Sequence, residues 1–259
     1  HSLTHSLTHS LTHSLTHHII CSLAAGLSVT VPARAPGTSS TVHLTHLARL
    51  TTFTVWSWIL IGVYFTLTLY ITHCEATAHT HTHTHTHTHS DPVPPWLLRL
   101  TWVLYEVSFS VSLLITVVVT FVLIPGAKQR GLPVVNFFNT PALLMHNANV
   151  IFMLFEGANN RLPVLLPHIV FGVLYGILYT VFAWVWHWHK GIFYYFFLDY
   201  ARKDAVLCHL ALIAALGVFF YVGVLVSWLT EQDSPHTLLV SAQLLFPTCS
   251  LYGSLVHYV

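Results

Sequence analysis

Charged residues are scarce in this chain. Asp, Glu, Lys and Arg together make up 7% of its 259 residues, whereas ordinary soluble domains carry about 25%. Hydrophobic residues make up 54%, and this combination predicts a polytopic integral membrane protein. The formal net charge is only +1. The chain therefore lacks the basic surface that nucleic-acid binding needs, and nucleic acid is not an expected partner.

Motifs for metals and nucleotide cofactors are missing as well. The four cysteines are too widely spaced for a zinc site or a disulfide framework; they are Cys21, Cys74, Cys208 and Cys249. The sequence has no His-Glu-x-x-His motif, no P-loop and no Gly-x-Gly-x-x-Gly fingerprint. We therefore expect neither a bound metal nor a cofactor.

An initiating methionine is also absent, and many of the histidines are repetitive. Residues 1–17 repeat His-Ser-Leu-Thr, and residues 79–89 alternate His with Thr, as translated short nucleotide repeats would. The sequence therefore predicts two regions. The first is a low-complexity or uncertain N-terminal segment over 1–45. The second is a transmembrane helical domain over 46–258, with a loop at 76–95 that carries the His-Thr repeat.

Six apolar segments are long enough, or nearly so, to be transmembrane helices. They cover residues 50–71, 100–124, 141–156, 164–186, 206–228 and 238–256. The third rises only about 24 Å at 1.5 Å per residue, short of a hydrocarbon core of about 30 Å, so it must lean on its neighbours. Pro125-Gly126 is expected to end the second helix. The predicted fold class is an all-α polytopic transmembrane bundle of about six spans.

The few basic residues are distributed asymmetrically between the loops. With a cytoplasmic N-terminus, seven of them lie on the cytoplasmic side of the six-span arrangement, and two, Arg99 and Arg161, lie on the other side. This bias follows the positive-inside rule and predicts that both termini are cytoplasmic. The seven are Arg34, Arg49, Lys128, Arg130, Lys190, Arg202 and Lys203.

Polar and ionisable side chains interrupt the apolar segments. On a regular helix at about 100° per residue, His146, Asn149 and Glu156 fall within one arc of about 80° and form a polar stripe. Two interpretations are open: interhelical hydrogen bonds, or a functional site. Glu106 either reaches toward the interface or turns inward to the stripe, and His168 is a further candidate for the stripe.

Several short motifs occur in the order seen in the rolling stone family. They are Leu50-Thr-Thr-Phe-Thr-Val-Trp56, Trp96-Leu-Leu-Arg-Leu-Thr-Trp-Val-Leu-Tyr105, His146-Asn-Ala-Asn149, Pro167-His168 and Leu198-Asp-Tyr200. Over residues 45–258 the chain resembles that family, with Asn147 and Tyr200 where the family usually has Gly and Trp. The resemblance implies a multi-pass membrane protein. The founding member is associated with myoblast fusion, which implies no particular chemistry.

A more distant resemblance is to the androgen-induced hydrolase family, membrane enzymes that cleave fatty acid esters of hydroxy fatty acids. That family uses a threonine at the start of the first span and a histidine in a later one. The matching positions are Thr51, or its neighbour Thr52, as nucleophile and His146 as general base. The alternative for Thr51 is a helix N-cap or a hydroxyl bonded to its own backbone.

Three classes of function follow from these expectations. The first is a multi-pass membrane protein resembling the rolling stone family, with no assigned molecular activity. The second is an intramembrane hydrolase that acts on a lipid ester. The third is a transporter, although the two halves of the sequence show no clear repeat. Membrane lipids are the expected partners in every case, and no oligomeric state is predicted.

Overall fold

The computed structural model describes residues 29–35, 38–44, 46–81, 93–160 and 162–231. From residue 46 onward these form helices and connecting turns, which agrees with the all-α prediction. An antiparallel hairpin precedes them, in which β1 (Val29–Ala35) pairs with β2 (Thr38–Leu44); the sequence predicts no element there. The predicted sixth segment, 238–256, and most of the His-Thr repeat lie outside the described residues.

Seven α-helices follow the hairpin within the described part of the chain. They are α1 (Phe53–His81), α2 (Pro95–Val118), α3 (Ile124–Gln129), α4 (Thr140–Leu143), α5 (Asn149–Asn159), α6 (Ile169–Lys190) and α7 (Ala205–Glu231). A π-helical turn, Val119–Leu123, joins α2 to α3, and a second, Leu144–Ala148, joins α4 to α5. Short 3-10 turns lie just before α1 and in the connections from α3 to α4, from α5 to α6 and from α6 to α7.

Four helical stretches among the described residues are long and apolar enough to cross a membrane. They are Phe53–Glu75, Pro95–Gln129, Leu166–Lys190 and Ala205–Thr230. These stretches correspond to the first, second, fourth and fifth predicted segments, and they support the prediction of an integral membrane protein. The third predicted segment forms α4, a π turn and α5, and it is not one of the four.

Two helices extend beyond their predicted ends. The first, α1, continues to His81, into the predicted loop at 76–95, because residues 76–81 contain neither proline nor glycine. The sequence predicts that Pro125-Gly126 ends the second helix, and this prediction is wrong. The chain remains helical to Gln129. A proline removes a backbone hydrogen bond and clashes with the carbonyl four residues earlier. A π turn, Val119–Leu123, ends two residues before Pro125, so the proline lies in the first turn of α3, where its missing N–H is tolerated.

The central helix of the bundle is α2. It contacts α1, α5, α6 and α7. In an 18-residue apolar stretch of its span 56% of the residues are buried, compared with 11% in the equivalent stretch of the span that contains α6. Three serines, Ser108, Ser110 and Ser112, lie buried on α2. The hydroxyls of Ser110 and Ser112 donate to carbonyls of their own helix. Small side chains of this kind let neighbouring helices approach where lipid provides no hydrophobic drive.

Phe109 of α2 fills the junction of three helices and is 1% exposed. A Cβ added to Gly157 of α5 would lie 3.1 Å from both the Phe109 ring and the Tyr105 hydroxyl, and one added to Gly223 of α7 would lie 3.2 Å from the same ring. The two glycines therefore set how closely α5 and α7 approach α2.

Gly157→Ala is expected to destabilise the bundle, because the added methyl group meets Phe109 and Tyr105. Overpacking of this kind costs about 1–3 kcal/mol. Gly176→Ala is the matched control, since a Cβ at that position of α6 meets no atom within 4 Å. The measurement is the thermal midpoint of each purified variant in detergent. Equal midpoints for the two variants would show that the Phe109 junction does not limit the packing.

Candidate functional site

The carboxyl group of Glu106 lies inside the bundle, where the residue is 1% exposed. Its Oε2 lies 2.6 Å from Nδ1 of His168, and its Oε1 accepts a hydrogen bond of 2.7 Å from the backbone N–H of Leu165. Glu106 therefore turns inward and does not reach toward the interface, but its partners are Leu165 and His168 and not the polar groups of α5. A carboxyl group is tolerated at such a depth when donors from the protein replace water.

The donors to Glu106 come from the connecting segment 162–168, which precedes α6. Two further bonds hold this segment: the indole N–H of Trp102 donates to the Pro163 carbonyl over 2.7 Å, and the Val164 N–H donates to the Ser227 hydroxyl over 3.0 Å. The segment is thereby fixed to α2 on one side and to α7 on the other. The buried carboxylate is thus one of several groups that position the start of α6.

The polar stripe on α5 divides into an interhelical contact and a local one. Glu156 is buried, and its Oε1 accepts hydrogen bonds from the Tyr64 hydroxyl of α1 at 2.6 Å and from the Asn160 amide at 3.4 Å. Asn149 is also buried, but its side-chain oxygen accepts from the N–H of the next residue, Val150, at 2.7 Å. The interhelical interpretation of the stripe therefore applies to Glu156.

His146 lies in the π turn Leu144–Ala148, half-buried and outside the buried face that Asn149 and Glu156 share. Its backbone carbonyl accepts a hydrogen bond from the Thr116 hydroxyl of α2, and its ring centroid lies 6.4 Å from that of Phe137. A regular α-helix rotates by about 100° per residue, and a π turn rotates by less than this for each residue. This difference rotates His146 away from the line of the other two residues.

The hydroxyl of Thr51 makes a hydrogen bond to a nearby backbone carbonyl of its own segment. Its Oγ1 lies 2.6 Å from the Ala48 carbonyl and 3.0 Å from the Tyr194 hydroxyl. Because a hydroxyl carries one proton, Thr51 donates to the carbonyl, and the Tyr194 phenol donates to Thr51. The Thr51 carbonyl in turn accepts from the Tyr179 hydroxyl of α6 at 3.0 Å. Thr51 therefore adopts the backbone-bonded alternative that the sequence leaves open.

Thr52 and Tyr195 complete the surroundings of this threonine. The Thr52 hydroxyl accepts from the Val55 N–H at 3.4 Å, the position of a cap at the start of α1. Tyr195 lines a small cavity with Thr51. Burial raises the pKa of Tyr195 above its usual range, so its phenol stays protonated at neutral pH. It therefore offers no base to the Thr51 hydroxyl.

No hydrogen bond among the described residues joins Thr51 to His146. Among the described residues, the hydrogen-bond partners of Thr51 are Ala48, Tyr179 and Tyr194, and His146 bonds to Thr116. The Nδ1 atom of His146 is buried without a hydrogen-bond partner. The described residues also contain no group of three His, Cys, Asp or Glu side chains placed to hold a metal ion.

Sequence reasoning missed the aromatic partners of these polar groups. Tyr64, fully buried in α1, bonds to Glu156 and lies 5.8 Å from Tyr105 between ring centroids. Tyr194 lies in the turn before α7 and contacts Thr51. One feature of the sequence could have indicated these contacts, because a buried tyrosine needs a hydrogen-bond partner for its hydroxyl. A tyrosine in the middle of an apolar segment therefore points to a polar residue on another helix.

Comparison of the chain with protein-family models, with curated proteins and with solved structures gave no match.

Glu106→Ala is expected to lower the thermal midpoint and to expose the connecting segment to protease. The substitution leaves the Leu165 N–H and the His168 ring without their acceptor, and a buried unsatisfied donor costs about 1–3 kcal/mol. Glu75→Ala is the control, because Glu75 is exposed at the end of its span. If both variants melt and cleave like the wild type, the carboxylate does not hold the segment.

Proposed function

We propose that this chain is a multi-pass integral membrane protein of the rolling stone type, in which polar side chains between the helices serve structure and not catalysis. The observation that carries the proposal is the Glu106 carboxylate, because both of its oxygens are engaged by the segment that begins α6. Polar groups paired in this way connect helices within a bilayer. Glu156 and Tyr64 make a second connection of the same kind.

The surroundings of Thr51 support this proposal over ester hydrolysis. A threonine hydroxyl is a weak nucleophile unless a base lies within about 2.6–3.2 Å of it. The groups at hydrogen-bond distance from Thr51 Oγ1 are the Ala48 carbonyl and the Tyr194 phenol, and neither is an imidazole, a carboxylate or an amine. His146 makes its hydrogen bond through the backbone to a different helix. Hydrolysis is therefore the outcome that the following experiment must exclude.

The proposed topology has six spans and two cytoplasmic termini. Four spans correspond to the long apolar helices, the α4–α5 pair is the short third, and residues 238–256 are the sixth. One contact supports the charge bias behind this arrangement. The guanidinium carbons of Arg130 and Arg202 lie 5.4 and 5.3 Å from the centre of the same Phe196 ring, so these two basic residues share one end of the bundle.

The purified protein is expected to cleave no fatty acyl ester and to form no covalent adduct with a long-chain, hydroxyl-reactive phosphonate probe. Under the hydrolase alternative, Thr51→Ala would abolish both signals, and His146→Ala would reduce turnover by the 10²- to 10⁴-fold typical of general-base assistance. The measurement is ester turnover, with probe labelling read by intact-protein mass spectrometry.

Two controls accompany this experiment. Thr52→Ala tests the neighbouring hydroxyl, and Thr66→Ala removes an exposed hydroxyl that donates to its own helix at Gly62. Thermal midpoints of all variants separate loss of fold from loss of chemistry. Cleavage that disappears in Thr51→Ala and His146→Ala, but persists in Thr66→Ala, would replace the structural proposal with the hydrolase.

Cysteine labelling tests the topology in intact cells, in a background in which the four natural cysteines are replaced. Asp91→Cys and Asp233→Cys are expected to react with a membrane-impermeant maleimide, because six spans place both positions outside. Lys128→Cys is expected to react only after permeabilisation, since Lys128 is exposed on the protein but lies on the cytoplasmic side. Labelling of Lys128→Cys in intact cells would contradict the six-span arrangement.

A further inference from the structure

Two arginines from distant parts of the chain converge on one aromatic ring. Arg130 follows α3 and Arg202 precedes α7, and each guanidinium stacks near Phe196, at 5.4 and 5.3 Å from the ring centre. The two cations can be no farther apart than the sum of these distances. A cation over an aromatic face is attracted by its π electrons. Both guanidinium groups therefore lie against the same ring, at one end of the bundle.

Further cations lie at the same end of the bundle. Lys128 is in the last turn of α3, and Lys203 follows Arg202. Lys190 ends α6. The end of α6 lies close to the turn before α7, because the ring of His187 is 5.8 Å from that of Tyr200. We call Lys128, Arg130, Lys190, Arg202 and Lys203 the basic end. Four of the five are exposed, and Arg202 is half-buried. The nearby carboxylates, Asp199 and Asp204, are too few to neutralise them.

The arginines keep hydrogen-bond donors for an external acceptor. The Nε of Arg130 donates to the Gly126 carbonyl at 2.8 Å, which leaves its two terminal amino groups. Arg202 donates to Asp204 through Nε and one terminal nitrogen, at 2.8 and 2.5 Å, which leaves the other terminal nitrogen. These bonds lower the pKa of Asp204, so its carboxylate is charged at neutral pH and competes for Arg202.

Exposed apolar side chains occur in the same segments of the chain as Lys128 and Arg130. Val135 and Phe138 are 68% and 57% exposed in the turn that follows Arg130. Phe121 is 71% exposed, two turns before Arg130 on the same continuous helical stretch. Cations next to exposed apolar groups, at the ends of apolar helices, match the boundary between lipid headgroups and acyl chains.

We infer that Arg130 and Arg202, both against Phe196, bind the phosphate of an anionic phospholipid headgroup at the basic end. Guanidinium groups suit this ligand because their planar donors bind phosphate oxygens in pairs. The exposed apolar groups near Arg130 in the chain contact the acyl chains of the same lipid. This inference rests on the proposed membrane location, but it requires neither the six-span topology nor the absence of hydrolysis.

The test uses the purified full chain in neutral detergent, titrated with water-soluble dioctanoyl phosphatidylglycerol and, separately, with dioctanoyl phosphatidylcholine. Native mass spectrometry gives the dissociation constants. The anionic lipid is expected to bind more tightly. Arg130→Gln and Arg202→Gln are each expected to weaken it about tenfold or more, the effect of losing a charge-assisted hydrogen bond to phosphate. Asp204→Asn is expected to strengthen it, because it frees donors on Arg202.

The controls separate a specific site from general charge. Lys203→Gln removes one neighbouring charge that is not on the Phe196 ring, and Arg99→Gln removes one on another helix end; both are expected to change the dissociation constant less than twofold. Equal weakening by Arg130→Gln and Lys203→Gln would overturn the site. So would equal affinity for the two lipids. Displacement of the anionic lipid by excess inorganic phosphate would instead assign the arginines to a free anion. Thermal midpoints confirm that each variant is folded.

Discussion

The rest of the bundle depends on the burial of the Glu106 carboxylate in an apolar helix. Such a group is tolerated only where donors from the protein replace water, and these donors come from Leu165 and His168. Both residues belong to the segment before α6, so the segment must fold against α2. The bonds from Trp102 and to Ser227 hold it in that position. The start of α6 is thus determined by a polar group on another helix, and not by its own apolar residues.

Hydrogen bonds between helices also require that the backbones approach closely. The bond between Tyr64 and Glu156 connects α1 to α5 at 2.6 Å, and a small displacement of either helix would break it. Gly157 lies one residue after Glu156, and a Cβ at this position would lie only 3.1 Å from the Phe109 ring and from the Tyr105 hydroxyl, closer than most real Cβ contacts. Apolar packing and polar bonding are therefore coupled at this point, because the glycine that allows the packing also places the carboxylate.

The spans were predictable from the sequence, whereas most of the site was not. Apolar length is a local property, so four predicted segments correspond to helices of membrane-spanning length. The pairing of Thr51 with His146 depends on which helix faces meet, and a spacing of 100° per residue does not hold across a π turn. The inward orientation of Glu106 was one of two alternatives. Glu106 points inward because its hydrogen-bond partners, Leu165 and His168, come from a distant part of the chain. The positions of residues around a single helix do not reveal such partners.

The charged groups discussed above lie in two different environments, the interior of the bundle and one of its ends. Glu106 and Glu156 are buried and take their donors from the protein, which connects helices. Arg130 and Arg202 remain at one end, where both lie against one aromatic ring and donors stay available for an external anion. The same scarcity of charge thus separates the buried carboxyl groups that connect the helices from the cations that gather at one end of the bundle.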